Sequence, residues 1–251
     1  MKQIGHLERY SETLIIAHRG ASKAEYENTI KAFETAINLG ADAIELDVRR
    51  TADGVIVVHH NATVPLSRRR LSKLRYREVE RLANKRGYSI PTLKETLHQC
   101  AGRIALDIEL KETGYEAEVV SLACRKYNPR HLLFTSFHDD ALIAIKRAHR
   151  EARTGLLLGI RAANSLSQWS RLSAKARLMA CGADVVIPHW QMIRFGFVNR
   201  MHALGLPVAA WTVDSPRRAL RLVNQGVSAI ITNVPDTINS HIKQDAKLNA
   251  G

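Results

Sequence analysis

The stretch Ile44-Glu45-Leu46-Asp47-Val48, echoed further on by Leu106-Asp107-Ile108-Glu109-Leu110-Lys111, sets two carboxylates at alternate positions in a run that is otherwise apolar. Side chains i and i+2 share one side of a β-strand, so Glu45 falls with Asp47, and Asp107 with Glu109 and Lys111. The intervening Ile, Leu and Val residues face the other way, into a core. Around these two runs lie six more short apolar runs: 14–17, 132–135, 155–158, 184–187, 208–211 and 229–231. Each of the eight precedes a segment with helical patterning, such as 28–39, 115–126 and 215–225. Alternating strands and helices build a parallel sheet with crossover helices. Eight units in 251 residues predict a (β/α)₈ TIM barrel, which takes ~250 residues. An open doubly wound sheet is the alternative. The whole chain, 1–251, reads as a single domain. Residues 62–90 break the repeat and form a short basic insertion after the second strand, helical and set over the barrel mouth. The tail after Ile242 reads as frayed and polar.

Composition narrows the function classes. The hydrophobic fraction of 45% is that of a globular protein, and no apolar run approaches the ~20 residues of a membrane span. The polar N-terminus lacks the apolar segment of a secretory signal, so a cytoplasmic location is expected. Cys100, Cys124 and Cys181 are odd in number and widely spaced, which argues against a disulfide framework or a thiolate zinc site. The formal net charge is +13, and residues 68–86 carry nine Lys/Arg and two Glu, a local +7. Such an excess attracts anions: a phosphorylated substrate or an acidic membrane surface. It lacks the interleaved aromatic residues of a single-strand binder, so no nucleic-acid partner is expected. A solvated helical face would carry the same charge run. Nothing in the pattern sets an oligomeric state.

Acidic residues at the C-terminal ends of barrel strands face the mouth, where active sites of this fold lie. Carboxylates gathered there need a cation. Hard oxygen ligands without cysteine favour Mg²⁺, Ca²⁺ or Mn²⁺ over Zn²⁺, although each acid could instead pair with an Arg or Lys. The first strand runs into His18-Arg19-Gly20. A histidine there can move protons near neutral pH, an arginine can grip phosphate with its fork, and a glycine permits close backbone approach. His59 and His60 end another apolar run, 55–58, and Lys111 could offset charge on a phosphoryl group.

In order and spacing these pieces resemble the glycerophosphodiester phosphodiesterase family. The matching elements are His18-Arg19-Gly20, Glu27-Asn28-Thr29, Glu45-Leu46-Asp47, Thr51-Ala52-Asp53-Gly54 and His60-Asn61. They continue through Pro91-Thr92-Leu93, Glu109-Leu110-Lys111, Thr135-Ser136-Phe137, Trp211-Thr212-Val213 and residues 226–235. The resemblance implies hydrolysis of small-molecule glycerophosphodiesters to an alcohol and glycerol 3-phosphate. It implies that Glu45, Asp47 and Glu109 hold a divalent cation, that His18 and His60 form the acid/base pair, and that Arg19 and Lys111 bind phosphate. Trp211 becomes a pocket wall, and Glu27 an acid near the substrate.

Three positions depart from the family pattern: Tyr26 replaces its Pro, Asn61 the Asp after the second histidine, and Asn233 an acid near the end of the eighth strand. Two alternatives follow. One is a lysophospholipase D acting on the same linkage with an acyl chain attached; the basic insertion, with only scattered apolar residues, favours a water-soluble diester instead. The other is a catalytically impaired barrel that binds phosphate or anionic lipid. Peripheral contact with an anionic membrane is expected of the basic insertion in either case.

Overall fold

The computed structural model describes residues 1–9, 12–65, 67–160 and 174–249. Its first half runs β1 (Leu14–His18), α1 (Ile30–Asn38), β2 (Ala43–Arg50), β3 (Ile56–Val58), α2 (Tyr76–Asn84), α3 (Leu93–Cys100), β4 (Ala105–Leu110), α4 (Glu116–Cys124) and β5 (Leu132–Ser136). The second half runs α5 (Asp139–Ala148), β6 (Thr154–Leu158), α6 (Ala174–Cys181), β7 (Val185–Pro188), α7 (Phe197–His202), β8 (Ala209–Ala210), α8 (Pro216–Asn224), β9 (Ala229–Thr232) and α9 (Pro235–Asn249).

All strands but β3 are parallel neighbours in the order β7-β6-β5-β4-β2-β1-β9-β8. The ends of that path meet through the bridges Val186 to Val208 and His189 to Trp211, with the Val186 amide on the Pro207 carbonyl at 3.1 Å. The sheet therefore closes on itself, which overturns the open doubly wound alternative. The seventh expected strand, 208–211, shortens to two residues, Ala209–Ala210, because its seam with β7 is made of single bridges and not of a continuous ladder.

Alternation along the strands sorts the core into two layers. Leu14, Ile16, Ala43, Ala105, Leu133, Leu157, Val185, Ile187, Ala209, Ala229 and Ile231 fill the barrel with Ile4 and Leu7 of the N-terminal segment. Residues of the opposite parity, among them Ile15, Ile44, Leu46, Leu106, Ile108, Phe134 and Ile230, pack outward against Phe33, Leu97, Val120, Leu142 and Leu222 of the helices. One end of the barrel is thus sealed by apolar side chains. At the other end the same inward parity brings up His18, Glu45, Asp47, Asp107, Glu109, Thr135, Trp211 and Asn233.

The excursion after β2 is built in two steps. Thr51-Ala52-Asp53-Gly54 turns the chain, with Gly54 at φ +84°, and β3 returns antiparallel to β2, pairing Val58 with Val48 and Ile56 with Arg50. Residues 62–90 then leave and rejoin at Pro91, whose carbonyl accepts the Val58 amide at 2.8 Å. The apolar residues of this excursion are not scattered. Val64, Leu71, Leu74, Val79, Ala83 and Ile90 close over Val57 as a third small core, with α2 contributing Val79 and Ala83 from one side. All nine Lys and Arg of residues 68–86 are left exposed.

The C-terminal segment also differs from expectation. α9 continues to Asn249, anchored by buried Ile238 with Ile242 packed behind it; these apolar positions keep helical the stretch that reads as a frayed tail. Cys100, Cys124 and Cys181 each end a helix and are free thiols. No helix among the described residues is long and apolar enough to cross a membrane.

Candidate active site

β2 and β4 are adjacent and in register, Glu45 beside Asp107 and Asp47 beside Glu109. Their shared side therefore gathers four buried carboxyls. Single ligand atoms of Glu45, Asp47 and Glu109 lie within 4.8 Å of one another. Above them a cavity of about 110 Å³ is lined by His18, Arg19, Glu45, His60, Asp107, Glu109, Lys111, Thr135, Phe137, Leu157, Trp211 and Ile231. Asp47 lies just beneath that lining, under Arg19 and Lys111. Glu27 stands at the rim, about a third exposed, with its carboxylate 2.8 Å from the Arg19 guanidinium.

Each motif element has a structural task. Gly20, at φ +80°, lets the loop after β1 pass against α1; a Cβ there would stand 2.7 Å from the Ala32 carbonyl carbon and 2.8 Å from its oxygen. Backbone cannot give way as a side-chain tip can, so Gly20→Ala should destabilise the protein by about 2 kcal/mol or more. A denaturant midpoint equal to that of the parent would remove this reason for the glycine. Arg19 itself adopts φ +58° and Asn28 φ +57°, a conformation uncommon outside glycine and often found at functional sites. It points the Arg19 amide at Glu45 Oε2 (2.9 Å). Asn28 grips Asp47 at both ends: its Nδ2 donates to Asp47 Oδ2 at 2.8 Å, and its Oδ1 accepts the Asp47 amide at 3.2 Å. The β2–β3 hairpin delivers His60 by seating the His59 amide on the Asp47 carbonyl at 2.9 Å. Arg49 Nε then holds the His60 carbonyl at 2.8 Å. His59 turns away to the Thr63 carbonyl and does not line the cavity.

The electrostatics are those of crowded acids. Burial, then repulsion from Asp47 and Glu109, pushes the Glu45 carboxyl well above the carboxylate range. Burial pushes Glu109 up to about 7, against the pull of Lys111. Burial drives Asp107 up to about 8, although it accepts the Thr135 hydroxyl at 2.7 Å. Asp47 is the exception: burial would raise it, but Lys111 and Arg19 together hold it at about 2. Lys111 Nζ sits 2.6 Å from Glu109 Oε1 and 3.3 Å from Asp47 Oδ1, and Arg19 Nε is 3.2 Å from Asp47 Oδ2. Burial and nearby Arg19 lower His18. Burial lowers His60 to about 4, with Lys111 and Arg19 adding to the effect and Asp47 opposing it. Both imidazoles are thus neutral at neutral pH.

A divalent cation suits this trio. Every donor is a hard carboxylate oxygen, and among the described residues the buried Glu45 Oε1 has no hydrogen-bond partner, which is costly in the absence of a compensating charge. Two fixed cations, Arg19 and Lys111, face five carboxyls: Glu27, Glu45, Asp47, Asp107 and Glu109. The wall opposite is aromatic. Trp211 donates Nε1–H to the Ile187 carbonyl at 3.0 Å and packs edge to face with Phe137 and His189 at 5.3 and 5.4 Å.

All nine residues singled out in the sequence gather at this end of the barrel. Sequence reading gave no role to Asn28, Arg49 or Asp214. Asn28 lies inside a quoted motif, and its tolerance of positive φ was an available signal. Arg49 and Asp214 gave none, because their partners lie far away in the chain. The structure also shows that Asn61 and Asn233 both serve as backing groups. Asn61 Oδ1 lies 3.1 Å from His60 Nδ1, and Asn233 Oδ1 lies 2.7 Å from His18 Nδ1.

Residues 18–237 match the Glycerophosphoryl diester phosphodiesterase family. The chain is 30% identical over 250 residues to a glycerophosphodiester phosphodiesterase of Caldanaerobacter subterraneus subsp. tengcongensis, covering 93% of this chain and 99% of that one. Among solved structures it is similar to an Oleispira antarctica phosphodiesterase in complex with the product sn-glycerol-3-phosphate. That likeness has a TM-score of 0.78 and 27% identity, over 92% of this chain and 97% of the other. A glycerophosphodiester phosphodiesterase from Parabacteroides distasonis shares the fold with a TM-score of 0.80 and 24% identity, over 94% and 98% of the two chains.

Proposed function

Because this chain belongs to the glycerophosphoryl diester phosphodiesterase family, we propose that it hydrolyses small glycerophosphodiesters to an alcohol and glycerol 3-phosphate, as a metal-dependent enzyme with His18 and His60 as its proton-transfer pair. The observation that carries this reading is the joint lining of one small cavity by both histidines, Arg19, Lys111 and the carboxylates of β2 and β4. Glu45, Asp47 and Glu109 would hold Mg²⁺, Ca²⁺ or Mn²⁺, which when bound offsets charge on the phosphodiester. Arg19 and Lys111 are the remaining cations at the cavity and would bind the non-bridging oxygens. Trp211 and Phe137 would flank the organic part of the substrate. One imidazole takes the proton of the attacking hydroxyl or water, and the other supplies a proton to the leaving oxygen. An anionic diester bound beside them raises both imidazole pKa values toward the working range, since added negative charge favours imidazolium. Release of glycerol 3-phosphate from a panel of glycerophosphodiesters, with and without chelator, tests the assignment. Absence of turnover in metal-replete protein would leave only a binding barrel.

Asn61 sets the pH at which His60 works. It accepts a hydrogen bond but brings no negative charge to favour imidazolium. Asn61→Asp should raise the His60 pKa from its depressed value. The limb of the kcat/KM profile that His60 sets should then move to higher pH. Superimposable pH profiles for the two proteins would show that position 61 does not tune the site.

The basic excursion supports a role at an anionic surface. Its charges stand beside the mouth: Tyr88, at its return, stacks on Tyr26 at 4.6 Å, next to Glu27. Beyond the C-terminal end of β7, Phe195 stands 91% exposed. A positive rim with an exposed aromatic side chain suits peripheral contact with an anionic membrane and raises the encounter rate with an anionic diester. Charge reversal at Arg68, Arg69 and Arg70 should lower kcat/KM at low salt, leave kcat nearly unchanged and converge with the parent at high salt, where screening removes the field. Parallel salt curves would reduce the excursion to a solvated helix.

A further inference from the structure

Behind His18 the structure holds a chain of hydrogen bonds whose polarity can be read from its far end. Asp214 follows β8, and Asn233 follows β9. Asp214 Oδ1 accepts the Asn233 amide at 2.8 Å and the Thr232 hydroxyl at 3.0 Å. Asp214 Oδ2 lies 2.7 Å from Asn233 Nδ2. Asn233 Oδ1 lies 2.7 Å from His18 Nδ1 and 2.8 Å from the Ser22 hydroxyl.

We propose that Asp214 and Asn233 form a positioning unit that holds the neutral His18 as its Nδ1–H tautomer, with the Nε2 lone pair turned to the cavity. This rests on the proton-transfer role proposed for His18. An ionised carboxylate only accepts hydrogen bonds, so the side-chain atom of Asn233 that faces Asp214 has to be the NH₂ group. The reversed amide would press two acceptors together at 2.7 Å. Its oxygen therefore faces His18 and Ser22, and its two lone pairs take one donor each. An oxygen cannot donate, so the proton must sit on His18 Nδ1. In the neutral ring the other nitrogen is then bare. Nε2 stands 3.9 Å from Glu45 Oε2, beyond hydrogen-bonding reach, on a ring that lines the cavity. So held, His18 can take a proton at Nε2 and cannot give one there until it has done so. The device links two strand ends through one amide, in place of the acid that would otherwise stand at position 233. Among the described residues His60 has no such anchor, because Asn61 is exposed and no fixed charge sets the direction of its amide.

The test reads the tautomer directly. Imidazole ¹⁵N shifts of histidine-labelled protein, with His18 assigned by its loss in His18→Gln, should show a protonated Nδ1 and a bare Nε2, both metal-free and with Mg²⁺ present. Asp214→Ala should let the two tautomers mix. It should lower kcat on the order of 10-fold or more, as loss of an orienting partner does, while KM and Mg²⁺ affinity stay close to the parent. Asp214→Asn keeps an acceptor but removes the charge that forbids the reversed amide, so it should fall between parent and Ala in both tautomer and kcat. It also serves if the Ala variant does not fold. A parent His18 protonated on Nε2 would overturn the proposal. So would an Asp214→Ala or Asp214→Asn protein with both tautomer and kcat of the parent. A chain that cleaved no glycerophosphodiester would still report its tautomer, so this proposal and the enzymatic one fail separately.

Discussion

Exhaustive chelation should abolish turnover, and added Mg²⁺, Ca²⁺ or Mn²⁺ should restore it, while Glu45→Gln should lower kcat/KM by roughly 10³-fold even with cation present. The magnitude follows from the several kcal/mol of charge stabilisation that a bound cation supplies, at ~1.4 kcal/mol per decade of rate. Folding responds in the opposite sense. Burial and mutual repulsion raise Glu45, Asp107 and Glu109, the last two to about 8 and about 7. Through these carboxyls the metal-free folded state holds protons that the unfolded chain has lost above ~4, while the depressed His18, His59 and His60 act in the opposite sense below ~6.5. Stability falls with rising pH where the folded state binds more protons, so metal-free protein should lose stability between about pH 6.5 and 8, above the range in which the histidines titrate. Glu45→Gln removes one of the mutually repelling acids and should unfold at a higher temperature than metal-free parent in that window. Added divalent cation should recover the loss in the parent and do little for the variant. Thermal melts across pH, with and without chelator, decide it. Full turnover after chelation, together with a flat stability profile, would mean that Arg19 and Lys111 alone balance the trio.

His18→Ala and His60→Ala should each lower kcat by at least ~10²-fold, the lower end for loss of a proton-transfer group. Both rings line the cavity at the open end of the barrel, so the variants should fold. His59→Ala is the comparison. Its ring points to the Thr63 carbonyl, and its loss should leave kcat near that of the parent. Near-native turnover of either cavity variant would show that its imidazole moves no proton in the reaction. The two variants should also differ in pH profile, since His60 is depressed to about 4 and its removal should erase the limb that Asn61→Asp is expected to shift.

Much of this site could be read from particular residues. Alternation in β2 and β4 is local: a strand of period two puts Glu45 with Asp47, and Asp107 with Glu109, in whatever sheet it joins. The turn chemistry of Thr51-Ala52-Asp53-Gly54 is local too, with the Thr51 hydroxyl donating to Asp53 Oδ1 at 2.7 Å. The excursion of residues 62–90 was less legible. Its apolar residues look sparse along the chain because they are spread over a loop, a short turn and α2, and only folding brings them together over Val57. The tail was misread for a related reason: two isoleucines, Ile238 and Ile242, are too few to stand out in a polar stretch, yet one turn apart they anchor a helix.

The sequence by itself therefore determined the eight β/α units, the parity of every inward-facing strand residue and the chemical character of the site, because these depend on short-range periodicity and residue type. The tertiary structure alone decided that β2 lies beside β4 in the register that pairs Asp47 with Glu109, and that the barrel closes between β7 and β8. It alone decided that Asn28 clamps Asp47, that Arg49 fixes His60, and that Asp214 reaches His18 through Asn233. Each of these joins residues on different strands or loops, and closure of the ring sets their separation. No pattern along the chain encodes that distance.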